Sequence, residues 1–314
     1  MRVPVSAILP VKNGQPWIRD ALENIDKVLG DNDELIVVDD NSSDSSWALL
    51  NSVSLKTPVK IMRNPGVGIV SALNEGIKLA QHEWIARFDI DDKYHVNRIS
   101  DQFSVVNEEV VAVFTDYRVV SEIGQDLGII PSPVHSSATV LSLVNSDRTA
   151  HPSVIFRKIA AISVGLYKEN DFPCEDLSLW LRLSKVGKLV SVPAVDLIYT
   201  MRNSSVSGGR YFEAKELTKS LLRASPQIET YIDSAFENFK EILKLYRGMV
   251  MGEQRSLLFF RDLYKAMTFR KFTRKQRRRL NSAFVFFILS PKNFLAGLKL
   301  LKLKRRRKLH RSLD

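Results

Sequence analysis

Three carboxylates stand within four residues in the stretch WIARFDIDDKYHVNR, which runs from Trp84 to Arg98. Asp89, Asp91 and Asp92 follow an apolar run, WIARF, that predicts a buried strand. Two unit charges about 4 Å apart repel each other by roughly 4 kcal/mol at an effective dielectric constant near 20. The crowding therefore predicts either a solvated acidic turn or a site where a cation lies among the carboxylates.

Short apolar runs alternate with helical patterns along residues 1–120. Strands are predicted at VSAILPV, ELIVVD, VKIMR, EWIARFD and VVAVF, and helices over residues 16–29, 46–53 and 68–80. This alternation predicts an α/β protein with a mostly parallel sheet that is covered by helices on both faces. Such sheets bind ligands beyond the carboxyl ends of their strands, where VKNG, DDNSSD and DIDD place polar residues.

The pattern is looser between residues 120 and 210. AHPSVIFRK contains a short strand, CEDLSLWLRLSKVG predicts a helix with Glu175 and Asp176 at its start, and IYTMRNSSVSGGR predicts a Ser- and Gly-rich loop. Acids in a first turn interact favourably with the helix dipole, a structural role that is compatible with catalysis. Because residues after 210 show only helical patterns, we expect an α/β domain over 1–210 and a helical region over 211–314.

The composition indicates an ordinary globular protein of 314 residues, 45% of them hydrophobic. A single cysteine, Cys174, excludes a disulfide within the chain and indicates a reducing compartment. The first strand pattern begins almost at once and is interrupted by Pro4 and Pro10, which does not fit a signal peptide. We therefore expect a cytoplasmic protein.

The charge is concentrated at the C-terminus. Residues 261–314 hold 18 lysines and arginines against two aspartates, whereas the preceding 260 residues hold 28 basic and 33 acidic residues. The segment KNFLAGLKLLKLKRRRK predicts an amphipathic helix with a wide apolar arc, a pattern typical of helices that lie in a membrane interface. We expect peripheral attachment to the anionic cytoplasmic face of the inner membrane and no nucleic acid partner, because no basic motif is interleaved with aromatic residues.

Six segments, in this order, resemble a family 2 glycosyltransferase with the GT-A (Rossmann-like) fold: ILPVKNG, ELIVVDDNSSD, GIVSALNEGIKLA, WIARFDIDD, HPSVIFRK and CEDLSLWLRL. The resemblance, to the inverting bacterial surface-polysaccharide type, implies a mixed, mostly parallel sheet flanked by helices. It also implies metal-assisted transfer from a nucleotide-diphosphate sugar, with UDP as the expected carrier, to a lipid-linked or growing surface glycan. The alternatives are a sugar-nucleotide pyrophosphorylase and a non-enzymatic nucleotide- or nucleic-acid-binding protein.

The same resemblance implies roles for the acidic residues. It makes Asp91 a ligand of Mn²⁺ or Mg²⁺, and it places Asp89 on the ribose or in the metal shell. Asp40 would accept a hydrogen bond from the base, with Asp39 beside it. Asp176 matches the position of the catalytic base, which takes a proton from the acceptor hydroxyl, and Glu175 is the fallback.

Further positions complete the expected nucleotide-sugar site: Pro10, Val11, Asn13, Asn74 and Arg202. Several of these assignments leave two interpretations open. Asp92 either orients its loop or bonds Arg98. His151 is either structural or a ligand, Trp180 is expected in the core more than under a sugar, and Cys174 is expected only to pack.

Overall fold

The computed structural model describes residues 2–130, 132 and 149–202. The predicted helical region over 211–314, its amphipathic segment and the domain boundary at residue 210 lie outside the described residues.

The described residues form a mixed sheet with helices on its faces. The strands are β1 (Val5–Val11), β2 (Glu34–Asp39), β3 (Val59–Arg63), β4 (Trp84–Arg87), β5 (Lys93–Tyr94), β6 (Val110–Ser121), β7 (Asp126–Ile130), β8 (Ile155–Arg157) and β9 (Lys188–Met201). The helices are α1 (Ile18–Val28), α2 (Ser46–Leu50), α3 (Ile69–Leu79), α4 (Arg98–Phe103), α5 (Lys158–Ser163) and α6 (Glu175–Leu183), with 3₁₀ turns at His151–Ser153 and Glu169–Asp171.

The strand order in the sheet is β3-β2-β1-β4-β8-β6-β9-β5, and β7 pairs with β6. Parallel pairing joins β1 to both β2 and β4, β2 to β3, and β6 to β9. The strands β8, β7 and β5 pair antiparallel to their neighbours. The carboxyl ends of β2, β1 and β4 therefore lie side by side, because these three strands run in the same direction.

The strands and helices predicted from the alternating pattern are confirmed, and the α/β class with a mixed sheet is confirmed with them. The predicted loop over IYTM is wrong in its first part. Residues 198–201 belong to β9 because they continue the parallel register with β6 as far as the pair Ser121 and Met201. The rest of the predicted loop, from residue 203 onward, lies outside the described residues.

The core forms where apolar faces of helices meet the sheet. In α1 the apolar residues at a helical spacing are buried, as are Val70, Leu73 and Ile77 of α3. Gly76 brings α3 close to β1, since a Cβ atom at this position would lie 2.7 Å from Cγ2 of Ile8. The packing of the helices on the sheet fixes the positions of the strands whose ends carry the polar clusters.

Candidate active site

The three carboxylates of the DIDD stretch meet just beyond the end of β4. One oxygen each from Asp89, Asp91 and Asp92 lies within 4.8 Å of the others. A hydrogen bond stabilises this turn: the backbone N–H of Asp89 donates to the hydroxyl of Tyr94 at 2.6 Å. The crowding that the sequence predicted is therefore present in the folded chain.

Each carboxylate of this cluster has a different partner. Arg87, the last residue of β4, is 2% exposed, and its Nη1 lies 2.7 Å from Oδ1 of Asp89. Arg202 follows β9 and pairs with Oδ2 of Asp91. Oδ1 of Asp92 accepts a 2.8 Å hydrogen bond from the backbone N–H of Thr200. Two arginines thus supply positive charge to a cluster of three acids.

This compensation is incomplete. Burial raises the pKa of Asp92 well above its usual range, and Asp89 and Asp91 raise it further. Burial and Asp89 also raise the pKa of Asp91, against the opposing effect of Arg202. Oδ2 of Asp92 is buried and has no hydrogen-bond partner among the residues that the structure describes. An all-oxygen donor set with surplus negative charge and an unpaired buried oxygen fits Mg²⁺ or Mn²⁺.

Arg98 does not bond Asp92, so the orienting interpretation of Asp92 agrees with the structure. The Arg98 guanidinium lies over the rings of Phe88 and Tyr94, at 4.3 Å and 4.8 Å from their centroids. Its Nη2 donates to the carbonyl oxygens of Arg87, at 2.9 Å, and Val154, at 3.1 Å. Arg98 therefore holds the backbone beneath the acidic cluster.

A second acidic group, Asp39 and Asp40, lies at the end of β2, with Asp39 as the last residue of the strand. Asp40 is 4% exposed, and its Oδ1 accepts 2.8 Å hydrogen bonds from Nδ2 of Asn64 and from the backbone N–H of Gly68. Its Oδ2 accepts a 2.9 Å bond from Nζ of Lys12. Asp39 is fully buried, and none of the described residues forms a hydrogen bond with its Oδ1. These contacts place both carboxylates at the edge that carries the DIDD cluster.

The end of β1 is tied to the loop after β2. Asn13 has a φ of +50°, and its side-chain oxygen accepts a 2.9 Å hydrogen bond from the backbone N–H of Ser43. Its own N–H donates to the hydroxyl of Ser42 at 2.9 Å. Val11 is buried, whereas Pro10 is partly exposed. The expected pocket residues thus form one connected wall between β1 and β2.

Glu175 and Asp176 begin α6. Burial raises the pKa of Glu175 to about 8, with a further contribution from Asp176, while Arg87 opposes the rise. Burial also raises the pKa of Asp176, although a hydrogen bond from the backbone N–H of Leu177 lowers it. Oε2 of Glu175 is buried, and within residues 2–130, 132 and 149–202 it has no hydrogen-bond partner. Because Asp89 raises the pKa of both carboxyls, they lie within electrostatic range of the acidic cluster.

Other predicted residues have structural contacts. Asn74 bonds both the N–H and the C=O of Tyr167, at 3.1 Å and 2.9 Å. The Tyr167 hydroxyl lies 2.8 Å from Nε2 of His151, and burial lowers the pKa of His151 well below its usual range. Trp180 is fully buried and packs against the rings of His151 and Tyr167. Cys174 is also buried. This cluster supports the start of α6, as the core interpretation of Trp180 expects.

Four residues that contact the site were not predicted as site residues from the sequence. Arg87 lies inside an apolar run, and Trp17 resembles a core residue, yet the guanidinium of Arg202 lies 4.1 Å from the Trp17 ring centroid. Lys12 and Asn64 follow the ends of β1 and β3, and position at a strand end is the one signal that could have identified them.

The sequence profile described as Glycosyl transferase family 2 matches residues 6–158. Residues 6–158 form a glycosyl transferase family 2 domain. The match runs from β1 to the end of β8, so it includes Asp39 and Asp40 and the acidic cluster after β4, but not Glu175 and Asp176. This domain agrees with the glycosyltransferase interpretation and not with the pyrophosphorylase or the non-enzymatic alternative.

Curated relatives carry the same family function in their descriptions. An uncharacterized glycosyltransferase of Rickettsia typhi is 29% identical over 197 residues, which are 59% of this chain and 60% of that protein. The Escherichia coli protein WfaP is 27% identical over 219 residues, 67% of this chain and 82% of its own. It is described as a UDP-Glc:alpha-D-GlcNAc-diphosphoundecaprenol beta-1,3-glucosyltransferase.

The fold agrees with solved glycosyltransferase structures. The mannosyltransferase PcManGT of Pyrobaculum calidifontis, in complex with GDP-Man and Mn²⁺, superposes with a TM-score of 0.52 at 16% identity. The superposition covers 96% of this chain and 81% of that protein. At this identity the likeness concerns the fold, and it confirms the GT-A architecture expected from the sequence.

Proposed function

We propose that this family 2 enzyme transfers a sugar from a nucleotide-diphosphate sugar to an acceptor hydroxyl with inversion at the anomeric carbon. One observation carries the proposal: the paired acids after β2 and the acidic cluster after β4 share one edge of the sheet, and the start of α6 lies within electrostatic range of that cluster. Open α/β sheets bind ligands beyond the carboxyl ends of their strands. A UDP-sugar is the preferred donor, in line with the description of WfaP.

Asp91 and Asp89 are the proposed ligands of a divalent cation, Mn²⁺ or Mg²⁺. Carboxylates repel a diphosphate, so a cation between them makes the two compatible. Bound there, the cation would stabilise the negative charge that grows on the departing diphosphate. The Mn²⁺ in the PcManGT complex supports this choice of metal.

The donor is proposed to bind along the wall between β1 and β2. Asp40 accepts a hydrogen bond from the base, Asp39 supports it, and the backbone from Pro10 to Asn13 lines the pocket. Asn74 contributes indirectly through Tyr167, whose backbone it holds. Arg202 lies next to the metal ligands and is suited to a phosphate, because its guanidinium offers several donors in one plane.

Asp176 is the proposed catalytic base. It takes the proton of the acceptor hydroxyl while the hydroxyl oxygen attacks the anomeric carbon on the face opposite the diphosphate. The bond between that carbon and the diphosphate oxygen breaks, and its electron pair leaves with the nucleoside diphosphate. A single displacement of this kind inverts the configuration. Glu175 is the second candidate for the base.

A lipid-linked or growing surface glycan is the proposed acceptor, and the basic C-terminal segment is the proposed membrane contact. The WfaP description supports a lipid-linked acceptor for a relative of this chain.

Within the described residues, no helix is long and apolar enough to span a bilayer. Replacing Lys304–Lys308 by glutamine is expected to abolish flotation with anionic liposomes, and unchanged flotation would contradict the membrane role.

The test of the function is donor binding followed by turnover. Nucleotide sugars are screened by thermal shift with and without Mn²⁺, since a ligand that binds the folded state raises the melting temperature. The Asp176→Asn enzyme should then bind the selected donor normally but lose about 10²- to 10⁴-fold in kcat, the usual contribution of a general base. Near-normal kcat in this variant, with loss in Glu175→Gln instead, would move the role to Glu175.

A further inference from the structure

The ion pair between Lys12 and Asp40 is placed where the proposed function requires a base to bind. Asp40 stands at the end of β2, and Lys12 is the first residue after β1. The Asp40 side chain is 5% exposed and that of Lys12 is 56% exposed, so the pair reaches from the interior to the solvent. A ligand that binds at this edge would contact both the ammonium group of Lys12 and the carboxylate of Asp40.

The two carboxylate oxygens of Asp40 have unequal remaining capacity. Oδ1 already accepts from Asn64 and Gly68, which occupies both of its lone pairs. From the described residues, Oδ2 accepts one hydrogen bond, which Nζ of Lys12 donates at 2.9 Å. One acceptor position therefore remains on Oδ2, directly beside an ammonium group that has three N–H donors.

We propose that Lys12 and Asp40 together recognise the lactam edge of the donor base, that is, a ring N–H next to a ring carbonyl. This inference rests on the proposed function, because it assumes that a nucleotide binds at Asp40. The ring N–H donates to Oδ2 of Asp40, and the neighbouring carbonyl accepts from Nζ of Lys12. Lys12 is thus a specificity-determining residue, and it keeps its bond to Asp40 while it contacts the base.

The chemistry of the bases divides the donors into two classes. Uracil, thymine, guanine and hypoxanthine present the lactam pair. Cytosine and adenine present the reverse pair, an unprotonated ring nitrogen next to an amino group. With such a base, the ring nitrogen and the carboxylate of Asp40 would both be acceptors. The amino group of the base and the ammonium group of Lys12 would both be donors, so neither hydrogen bond could form. A site built to hydrogen-bond one pattern discriminates strongly against the reverse, because buried polar groups are left unpaired.

The experiment uses two matched pairs of nucleoside diphosphates, UDP with CDP and IDP with ADP, titrated calorimetrically into the full chain with Mn²⁺. The members of each pair differ only in the edge that they present. We expect UDP and IDP to bind about 10- to 100-fold more tightly than CDP and ADP, respectively. Equal affinities within both pairs would overturn the inference and leave the nucleotide site standing, whereas no binding of any of the four would overturn the proposed function itself.

Lys12→Met removes the ammonium group and keeps the aliphatic stem. We expect the preference for UDP over CDP to fall by about tenfold. An equal loss for all four nucleotides would show that Lys12 attracts phosphate and would refute base recognition. The matched control is Lys60→Met, because Lys60 forms an ion pair of the same 2.9 Å length with Glu34, and its side chain is 43% exposed.

A second variant keeps the test decisive if Lys12→Met unfolds. Asp40→Asn retains one oxygen for Asn64 and Gly68 and replaces the other by an amino group, which can donate to the ring nitrogen of cytosine. The single variant Asp40→Asn, which keeps Lys12, should therefore lose UDP binding more than CDP binding and reduce the preference for UDP. An undiminished preference for UDP would overturn the proposal.

Discussion

Glu175 is a buried carboxyl whose ionisation should oppose folding at neutral and alkaline pH. It is 6% exposed, its Oε2 has no partner in the described part of the chain, and burial raises its pKa from 4.5 to about 8. Since the folded pKa lies above the unfolded value, the folded state holds a proton that the unfolded chain releases. The stability linked to this group is therefore fully present below pH 4.5 and is lost as the pH rises toward 8.

The size of the effect follows from the shift. Each pKa unit corresponds to about 1.4 kcal/mol, so the loss reaches roughly 5 kcal/mol well above pH 8. Glu175→Gln resembles the protonated side chain and does not ionise. We expect this variant to exceed the wild type in unfolding free energy by about 1 kcal/mol at pH 5 and by about 4 kcal/mol at pH 8.

Urea denaturation of both proteins at several pH values measures this difference. Glu169→Gln is the control, because Glu169 is an exposed acid in the 3₁₀ turn shortly before α6, and its removal should not produce the same growth with pH. A difference between Glu175→Gln and wild type that stays constant from pH 5 to pH 8 would refute the buried, protonated carboxyl.

Three further variants test the remaining contacts. Asp91→Ala should abolish Mn²⁺-dependent nucleotide-sugar binding in calorimetry without unfolding the chain. The control is Asp126→Ala, which removes an acid whose side chain is 55% exposed and should leave this binding unchanged. Arg202→Gln should bind Mn²⁺ roughly tenfold more tightly in the absence of donor, because a competing cation has been removed from Asp91; an unchanged Kd in a Mn²⁺ EPR titration would contradict this. Gly76→Ala should lower the unfolding free energy by about 1–3 kcal/mol in urea, because the new methyl group overlaps Ile8, and unchanged stability would contradict the close packing.

The elements of the fold could be predicted because their signals are local. Apolar alternation and helical spacing predict β1 to β4 and α1 to α3, since burial on a sheet or helix face imposes a period on neighbouring residues. The DIDD carboxylates were likewise predictable as a group, because four consecutive residues cannot separate far. The end of β9 was not, since residues 198–201 become a strand only through their pairing with β6.

The partners of the site residues are decided by tertiary structure alone. Arg202 meets Asp91 across 111 positions of the chain, and Thr200 meets Asp92 across 108. No local period encodes such contacts, because they depend on which strands become neighbours in the sheet. The same holds for the raised pKa of Glu175, which comes from burial. The sequence by itself therefore determined which groups could do chemistry at the sheet edge, and the packing of distant segments decided their charges and their partners.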